Sequence, residues 1–265
     1  MTGLERSSAF SPPVFGRWRR SENLVPALVL LALAAAGWAY AIRQAGAAHG
    51  MDPAMDGLSS GGAWGPASFL FGWTAMMAAM MIPATLPLIL LYRVFARNRL
   101  DKGRAGVAAL LAGYVAVWAA AGLPVYAYSL FGGWAGPPAA ALPALLLIVG
   151  GAYQFTPLKR GCHVRCSSPL FFLVRRWRPG PTGALRLGAI HGVDCVGCCA
   201  GLMAGLVALG TMNPAWMLTV AVVVFVEKTI PGGHRVAHPL GALMILGGVL
   251  LGASLIDGTS PGMEP

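Results

Sequence analysis

The sequence predicts an all-α protein, a polytopic membrane bundle of about seven transmembrane helices. Its residues are 57% hydrophobic and only 11% charged, whereas a soluble domain carries roughly 25% charged residues. The mean hydropathy is +0.67. Apolar runs of about 20 residues, the length needed to cross a bilayer, recur along the chain. Each run must be helical, because lipid offers the backbone no hydrogen-bond partners.

Seven apolar segments account for this prediction. Gly/Pro-rich or basic connectors separate them, as expected for loops between helices. The segments are 24–42, 67–92, 106–130, 139–155, 184–210, 214–230 and 239–256. They form one transmembrane domain with short polar tails. The domain covers 24–256 with a cytoplasmic connector at about 157–183, and the tails cover 1–23 and 257–265.

The Lys and Arg side chains predict the orientation. If the N-terminus is cytoplasmic, 18 of the 19 Lys and Arg residues lie on the cytoplasmic side and only Arg43 lies outside. This follows the positive-inside rule, with the lipid bilayer as the surroundings of the bundle. The net charge of +10 therefore reflects topology. Nucleic acid is not expected as a partner, since no basic patch interleaved with aromatic residues occurs.

The connector after the fourth segment is too long for a simple turn. Its middle, "SSPLFFLVRRW", mixes apolar and basic residues, which is typical of a short helix at the inner membrane surface. An ordered loop packed under the bundle is the alternative. Just before it, "GCHVRC" places Cys162, His163 and Cys166 on the cytoplasmic side. Two cysteines four residues apart can bind a soft metal ion, and the cytoplasm disfavours a stable disulfide.

The fifth segment begins with an unusual cluster, "HGVDCVGCC". On a helix, His191, Asp194, Cys195, Cys198 and Cys199 share one face, because such spacings bring residues onto neighbouring turns. Ionisable groups inside a membrane usually face the bundle interior, and thiolate with imidazole selects Cu(I), zinc or iron–sulfur chemistry. Plain packing is the alternative, since cysteine is also a small hydrophobe. One helix presents only two or three ligands to an ion, so other helices must contribute.

Methionines of the second segment are candidates for that contribution. Met76 with Met80, and Met77 with Met81, form two pairs spaced four residues apart. Thioethers suit Cu(I), although methionine also fills irregular gaps between helices.

Two further features are weaker candidates. At the inner end of the sixth segment, Glu227 is expected to turn towards His191 or Asp194, with an interfacial ion pair as the alternative. Lys228 beside it is expected to extend to the membrane surface. Outside, the loop "HGMDPAMDG" is either a solvated linker or a metal-collecting loop, and its candidate ligands are His49, Met51 and Met55.

Glycines on the fifth segment predict close helix packing. Gly197, Gly201 and Gly205 repeat the small-xxx-small spacing that lets helices approach closely. We expect this face to seat the second or the sixth segment.

These passages resemble a bacterial family of integral membrane proteins predicted to bind metal, which share a domain of unknown function. The resemblance rests on "MMAAMMIPATLPLILLYRVFAR", "YQFTPLKRGCHVRCSSP", "HGVDCVGCC" with the following "MNPAWM", and "EKTIPGG". It implies a multi-pass inner-membrane protein with a metal site. Its matching positions are Met76, Met77, Met80, Met81, Cys162, Cys166, His191, Cys195, Cys198, Cys199 and Glu227. His163 and Asp194 fall where the family varies, which disfavours a ligand role for them.

The leading hypothesis is a membrane protein that binds a soft transition metal, copper before zinc, for handling, delivery or transport. Its partners would be the metal ion and a metallochaperone or metalloenzyme. The first alternative is a membrane redox protein that uses copper, haem or a thiol/disulfide pair. The second is an assembly or anchor protein whose Cys/Gly helix only packs tightly. An enzyme is the less expected outcome, since no hydrolase motif and no phosphate-binding loop occurs.

Overall fold

The computed structural model describes residues 20–47, 65–97, 103–132, 137–209, 214–230 and 233–256. Within these ranges the chain forms nine α-helices and no strand, which confirms the all-α prediction. The helices are α1 (Arg20–Ala47), α2 (Gly65–Arg97), α3 (Gly103–Gly132), α4 (Pro137–Tyr153), α5 (Pro157–Ser167), α6 (Pro169–Arg176), α7 (Gly180–Leu209), α8 (Pro214–Thr229) and α9 (Ala237–Ile256), with a short 3-10 helix at Gly233–Val236.

Each of the seven predicted apolar segments corresponds to one helix, and the long connector contributes two more, α5 and α6. Thr156 caps α5, its side chain accepting from the backbone N–H of Lys159, and Pro157 begins the helix. This is a favourable helix start, because proline has no N–H to leave unpaired. The expectation of a short helix in "SSPLFFLVRRW" is confirmed as α6. Its Phe172 and Leu173 are buried, while Phe171 is exposed.

The number of membrane crossings is smaller by length and composition than the sequence predicts. Among the described residues, four helices are long and apolar enough to cross a membrane, and their crossing stretches are Gly65–Ala96, Ala105–Leu130, Gly180–Leu209 and Ala237–Ile256. A fifth crossing results if α4 and α5, bent by 68° at the break between them, count as one broken span. Seven crossings are therefore not confirmed.

Helix α7 lies at the centre of the bundle, where it packs on α3, α4, α5 and α8. Its contact with α3 depends on glycines. A Cβ atom on Gly188 would lie 1.9 Å from the carbonyl oxygen of Leu110, and one on Gly113 would lie 2.1 Å from that of Leu185. Both distances are far below van der Waals contact, so the two backbones approach as closely as they do only because these side chains are absent.

The glycine stripe that the sequence identifies on α7 faces different helices from those predicted. Gly201 lies against the backbone of Gly150 on α4, and Gly205 lies against Met244 on α9. Gly197 lies against Cys162 on α5. The expectation that this stripe seats the second or the sixth segment, α2 or α8, is therefore wrong. The bend between α4 and α5 explains the difference, because it brings both helices onto one side of α7.

Candidate metal centre

Three buried thiols from two helices meet inside the bundle. The Sγ atoms of Cys166 on α5 and of Cys195 and Cys198 on α7 all lie within 4.8 Å of one another. All three side chains are buried, and all five cysteines of the chain are free thiols. Cys195 and Cys198 face the same way because they stand three residues apart on a helix. Packing of α5 on α7 adds the third thiol. We call Cys166, Cys195 and Cys198 the thiol centre.

This arrangement joins two groups that the sequence keeps apart. Cys166 belongs to the predicted cytoplasmic pair with Cys162, yet its sulfur lies with the cysteines of α7. Cys162 is also buried on α5, but its Sγ accepts from the guanidinium of Arg165 at 3.3 Å. His163, between them, is buried. The cysteines of "GCHVRC" therefore face the bundle core.

Cys199 borders the thiol centre without belonging to the group of three. Its Sγ lies 3.5 Å from that of Cys198, and its side chain is buried. The thiol of Cys198 is 3.1 Å from the carbonyl oxygen of Cys195. Thiols donate weakly and are easily buried, so a cluster of this kind is stable as a set of neutral groups and becomes a strong ligand set when deprotonated.

Two polar groups contact the sulfur of Cys195. The ammonium of Lys228, on α8, donates to it at 2.9 Å, and the hydroxyl of Tyr114, on α3, lies 3.1 Å away. The Nζ atom of Lys228 also lies 4.0 Å from Sδ of Met81 on α2. The expectation that Lys228 extends to the membrane surface is therefore wrong, since the ammonium points at sulfur.

The methionines of α2 lie in the same apolar cluster as the five cysteines. This common cluster contains Met76, Met77, Met80 and Met81, all buried, and adds Met203 on α7 and Met217 on α8. Tyr114 and Trp118 of α3 close its side. Sulfur atoms from α2, α5, α7 and α8 therefore share one buried apolar region.

His191 lies one turn before Cys195 and packs between aromatic rings. Its ring stacks on Tyr114 with centroids 5.8 Å apart and meets the edge of Phe172 at 5.2 Å. It is buried, and its Nδ1 atom has no hydrogen-bond partner. The structure does not group it with the three thiols. The ring of His191 is surrounded by aromatic side chains, and its Nδ1 atom keeps an unused lone pair or proton.

The two buried carboxylates of the region each pair with a basic residue of α5. Oδ1 of Asp194 accepts from Nε of Arg165 at 2.7 Å. Both carboxylate oxygens of Glu227 accept from Nζ of Lys159 at 3.1 Å. Glu227 thus turns inward, as expected, but its partner is Lys159 and not the predicted His191 or Asp194.

Gln154 completes this second polar group. Its side-chain oxygen also accepts from the ammonium of Lys159, and all three side chains are buried. We call Gln154, Lys159 and Glu227 the Lys159 cluster. Such a buried ion pair is stable when both partners are present and hydrogen-bonded, and costly when one is removed.

The remaining predicted site lies elsewhere in the chain. The outer-loop candidates His49, Met51 and Met55 fall outside the described residues.

Tyr114 and the inward course of Lys228 are the groups that sequence reasoning missed. Tyr114 sits in the plain apolar run "LLAGYVAVWAA", where nothing sets it apart from an ordinary core aromatic. The sequence contains one indication of the direction of the Lys228 side chain. A lysine next to a glutamate at the end of an apolar helix directs the two charges to different sides, because consecutive helical residues point about 100° apart. That spacing does not say which one faces a thiol.

The chemistry of this donor set is that of a soft-metal site. Thiols at these separations can converge on one ion with small side-chain movements, and thiolate and thioether sulfur select Cu(I), zinc or iron–sulfur centres over hard cations. Residues 70–251, more than half of the chain, match a family described as a copper chaperone, PpoB2. Searches among curated proteins and among solved structures found no significant match.

Proposed function

The chain belongs to this copper chaperone family, and we propose that it is a membrane copper chaperone that binds Cu(I) at the thiol centre and passes it to a partner protein. The observation that carries the proposal is the meeting of three buried thiols within 4.8 Å of one another. They come from two helices that are separated along the chain by α6 and pack on each other. A purely packed core would need no such convergence.

The thioethers near the thiol centre favour copper over zinc. Structural zinc sites close with four cysteine or histidine ligands in a tetrahedron, whereas Cu(I) accepts soft sulfur donors, thioethers included. Here the thiols share their buried cluster with the four methionines of α2. In the proposed site Cys166, Cys195 and Cys198 are the primary ligands. Cys199 and Met81 are further sulfur-bearing residues beside them, and His191 is a nitrogen donor one turn away.

The membrane setting completes the proposal. The four long apolar helices and the bent α4–α5 pair give up to five crossings, and α1 and α8 would raise the number to seven. With the N-terminus in the cytoplasm, α5 and the inner end of α8 face the cytoplasmic leaflet of the bacterial inner membrane. The thiol centre then lies where a cytoplasmic metallochaperone or a metalloenzyme can exchange copper with it.

The test is metal loading under anaerobic conditions. The purified chain, in detergent or nanodiscs, is loaded with Cu(I) or with zinc, and bound metal is measured by elemental analysis. We expect near-stoichiometric copper in the wild type and its loss in a Cys195→Ser, Cys198→Ser variant. Cys162→Ser is the matched control. It removes a buried thiol of α5 that lies outside the group of three, and it should retain copper. No copper in the wild type, or equal copper in the double variant, would contradict the proposal.

A further inference from the structure

Lys228 is unusual because its charged end contacts sulfur. It stands next to the last residue of α8, where a lysine with a long flexible stem normally extends to the surface. Its ammonium instead donates to Cys195 at 2.9 Å and lies 4.0 Å from Sδ of Met81. No carboxylate contact of this ammonium occurs within the part of the chain that the structure describes.

The ammonium lies between two proposed copper donors on different helices, Cys195 on α7 and Met81 on α2. A metal ion on Cys195 that also gained Met81 as a ligand would occupy the space beside these two sulfur atoms, which the ammonium now fills. Two positive charges a few ångströms apart inside an apolar bundle repel strongly, because the low dielectric constant does not screen them. The ammonium and Cu(I) are therefore competitors for one position.

We infer that Lys228 is a tethered cation that holds the copper position in the empty site and withdraws when Cu(I) binds. This inference rests on the proposed function. Without copper, Lys228 donates a hydrogen bond to the sulfur of Cys195 and fills the space beside it. Lys228 lowers the affinity for copper, because the ion must displace its ammonium. It also speeds copper release, because the ammonium can re-occupy the position as the ion leaves. A chaperone needs both effects, since a ligand must bind tightly enough to load and weakly enough to leave.

The surroundings allow the side chain to move while the helix stays fixed. Glu227, the preceding residue, is paired with Lys159 at 3.1 Å, and this ion pair joins the inner end of α8 to α5. Lys228 itself is only partly buried, so part of its side chain already reaches the surface of the bundle. Rotation of its stem would carry the ammonium to the membrane surface, the position that lysines near helix ends commonly take.

The opposite role makes an opposite prediction. If Lys228 stayed in place and offset the negative charge of copper-bound thiolates, its removal would weaken copper binding. Lys228→Leu separates the two roles, because it removes the charge and adds no sulfur or nitrogen donor for copper. We expect Cu(I) affinity, measured by competition with a chromogenic Cu(I) chelator under anaerobic conditions, to rise about tenfold. Transfer of copper to that chelator should slow by a similar factor.

The matched control is Arg235→Leu. It removes one positive charge from an exposed position on the 3-10 helix that packs against α8, and it should leave affinity and transfer unchanged. Weaker or unchanged copper binding by Lys228→Leu would overturn the inference while leaving the proposed function intact. Absence of copper binding by the wild type would contradict the proposed function and the inference together.

A measurement on the wild-type chain keeps the inference testable if the variant does not fold. Small amine-reactive reagents are applied to the metal-free and the Cu(I)-loaded chain, and labelling of each lysine is read by mass spectrometry. Labelling of Lys228 should increase several-fold on loading. Lys159, held by Glu227 and Gln154, is the internal control and should not change. Equal labelling of Lys228 in both states would overturn the inference.

Discussion

Two lysines, the buried Lys159 of α5 and the partly buried Lys228 of α8, have their ammonium groups near the inner end of α8 and differ in their partners. Lys159 donates to the carboxylate of Glu227 and to Gln154, so its charge is matched by an equal charge and a polar acceptor. Lys228 donates to a thiol and faces a thioether. The ammonium of Lys159, which has a counter-charge and a polar acceptor, stabilises the packing of α5 against α8. The ammonium of Lys228 contacts sulfur atoms and lies beside two more thiols. It can therefore be replaced by a cation that binds sulfur more strongly, such as Cu(I).

The Lys159 cluster should therefore carry the largest effect on stability and almost none on metal binding. Glu227→Ala leaves the ammonium of Lys159 buried without its counter-charge, and breaking a buried pair in this way costs roughly 3–5 kcal/mol. We expect a corresponding loss in the free energy of unfolding, measured by denaturant or thermal unfolding in detergent. Copper bound per folded molecule should stay unchanged.

A double variant sharpens that result. Lys159→Met with Glu227→Met removes both charges and replaces them with apolar groups, which often restores most of the lost stability. Recovery in the double variant would assign the loss to an unpaired charge. If the double variant were as unstable as Glu227→Ala, the ion pair itself would not be what the cluster contributes.

The glycine contact between α3 and α7 is expected to have the next largest effect. Gly188→Ala places a methyl group 1.9 Å from the carbonyl oxygen of Leu110, so the helices must separate. Overpacking of this kind costs about 1–3 kcal/mol, read from the same unfolding measurement. Gly247→Ala on α9 is the control, because nothing lies within 4 Å of the added Cβ. Equal stability of the two variants would mean that the close approach of α3 and α7 does not matter for folding.

The methionines should show the reverse signature of the Lys159 cluster, with a small change in stability and a clear change in binding. Replacing Met76, Met77, Met80 and Met81 by leucine conserves volume, which usually costs under about 1.5 kcal/mol per site, but it removes the soft donors. We expect Cu(I) affinity, measured by chelator competition, to fall about tenfold. Met244→Leu, which packs against Gly205, is the control. Unchanged affinity in the fourfold variant would reduce these methionines to packing residues.

The sequence predicts the helices and half of the site, for a clear physical reason. The face shared by Cys195 and Cys198 follows from helical periodicity, which is local. The all-helical class follows from the apolar composition. The i, i+4 spacing of Cys162 and Cys166 likewise gives both thiols one face of α5.

The rest depends on tertiary structure. Cys166 reaches Cys195 only because the chain bends by 68° between α4 and α5 and turns α5 onto α7. Glu227 meets Lys159 across 68 positions of sequence. The charges along α8 alone do not predict that Glu227 pairs with Lys159 of α5. The spacing of the glycines on α7 predicts a packing face, but the same bend determines which helices pack against it.

Copper X-ray absorption on the anaerobically Cu(I)-loaded chain tests the central claim, that thiols of α5 and α7 together hold the metal. We predict a first coordination shell made of sulfur alone in the wild type. In Cys166→Ser, which removes only the α5 thiol, the sulfur count should fall by one. A shell dominated by nitrogen or oxygen, or the same sulfur shell in Cys166→Ser as in the wild type, would contradict the account.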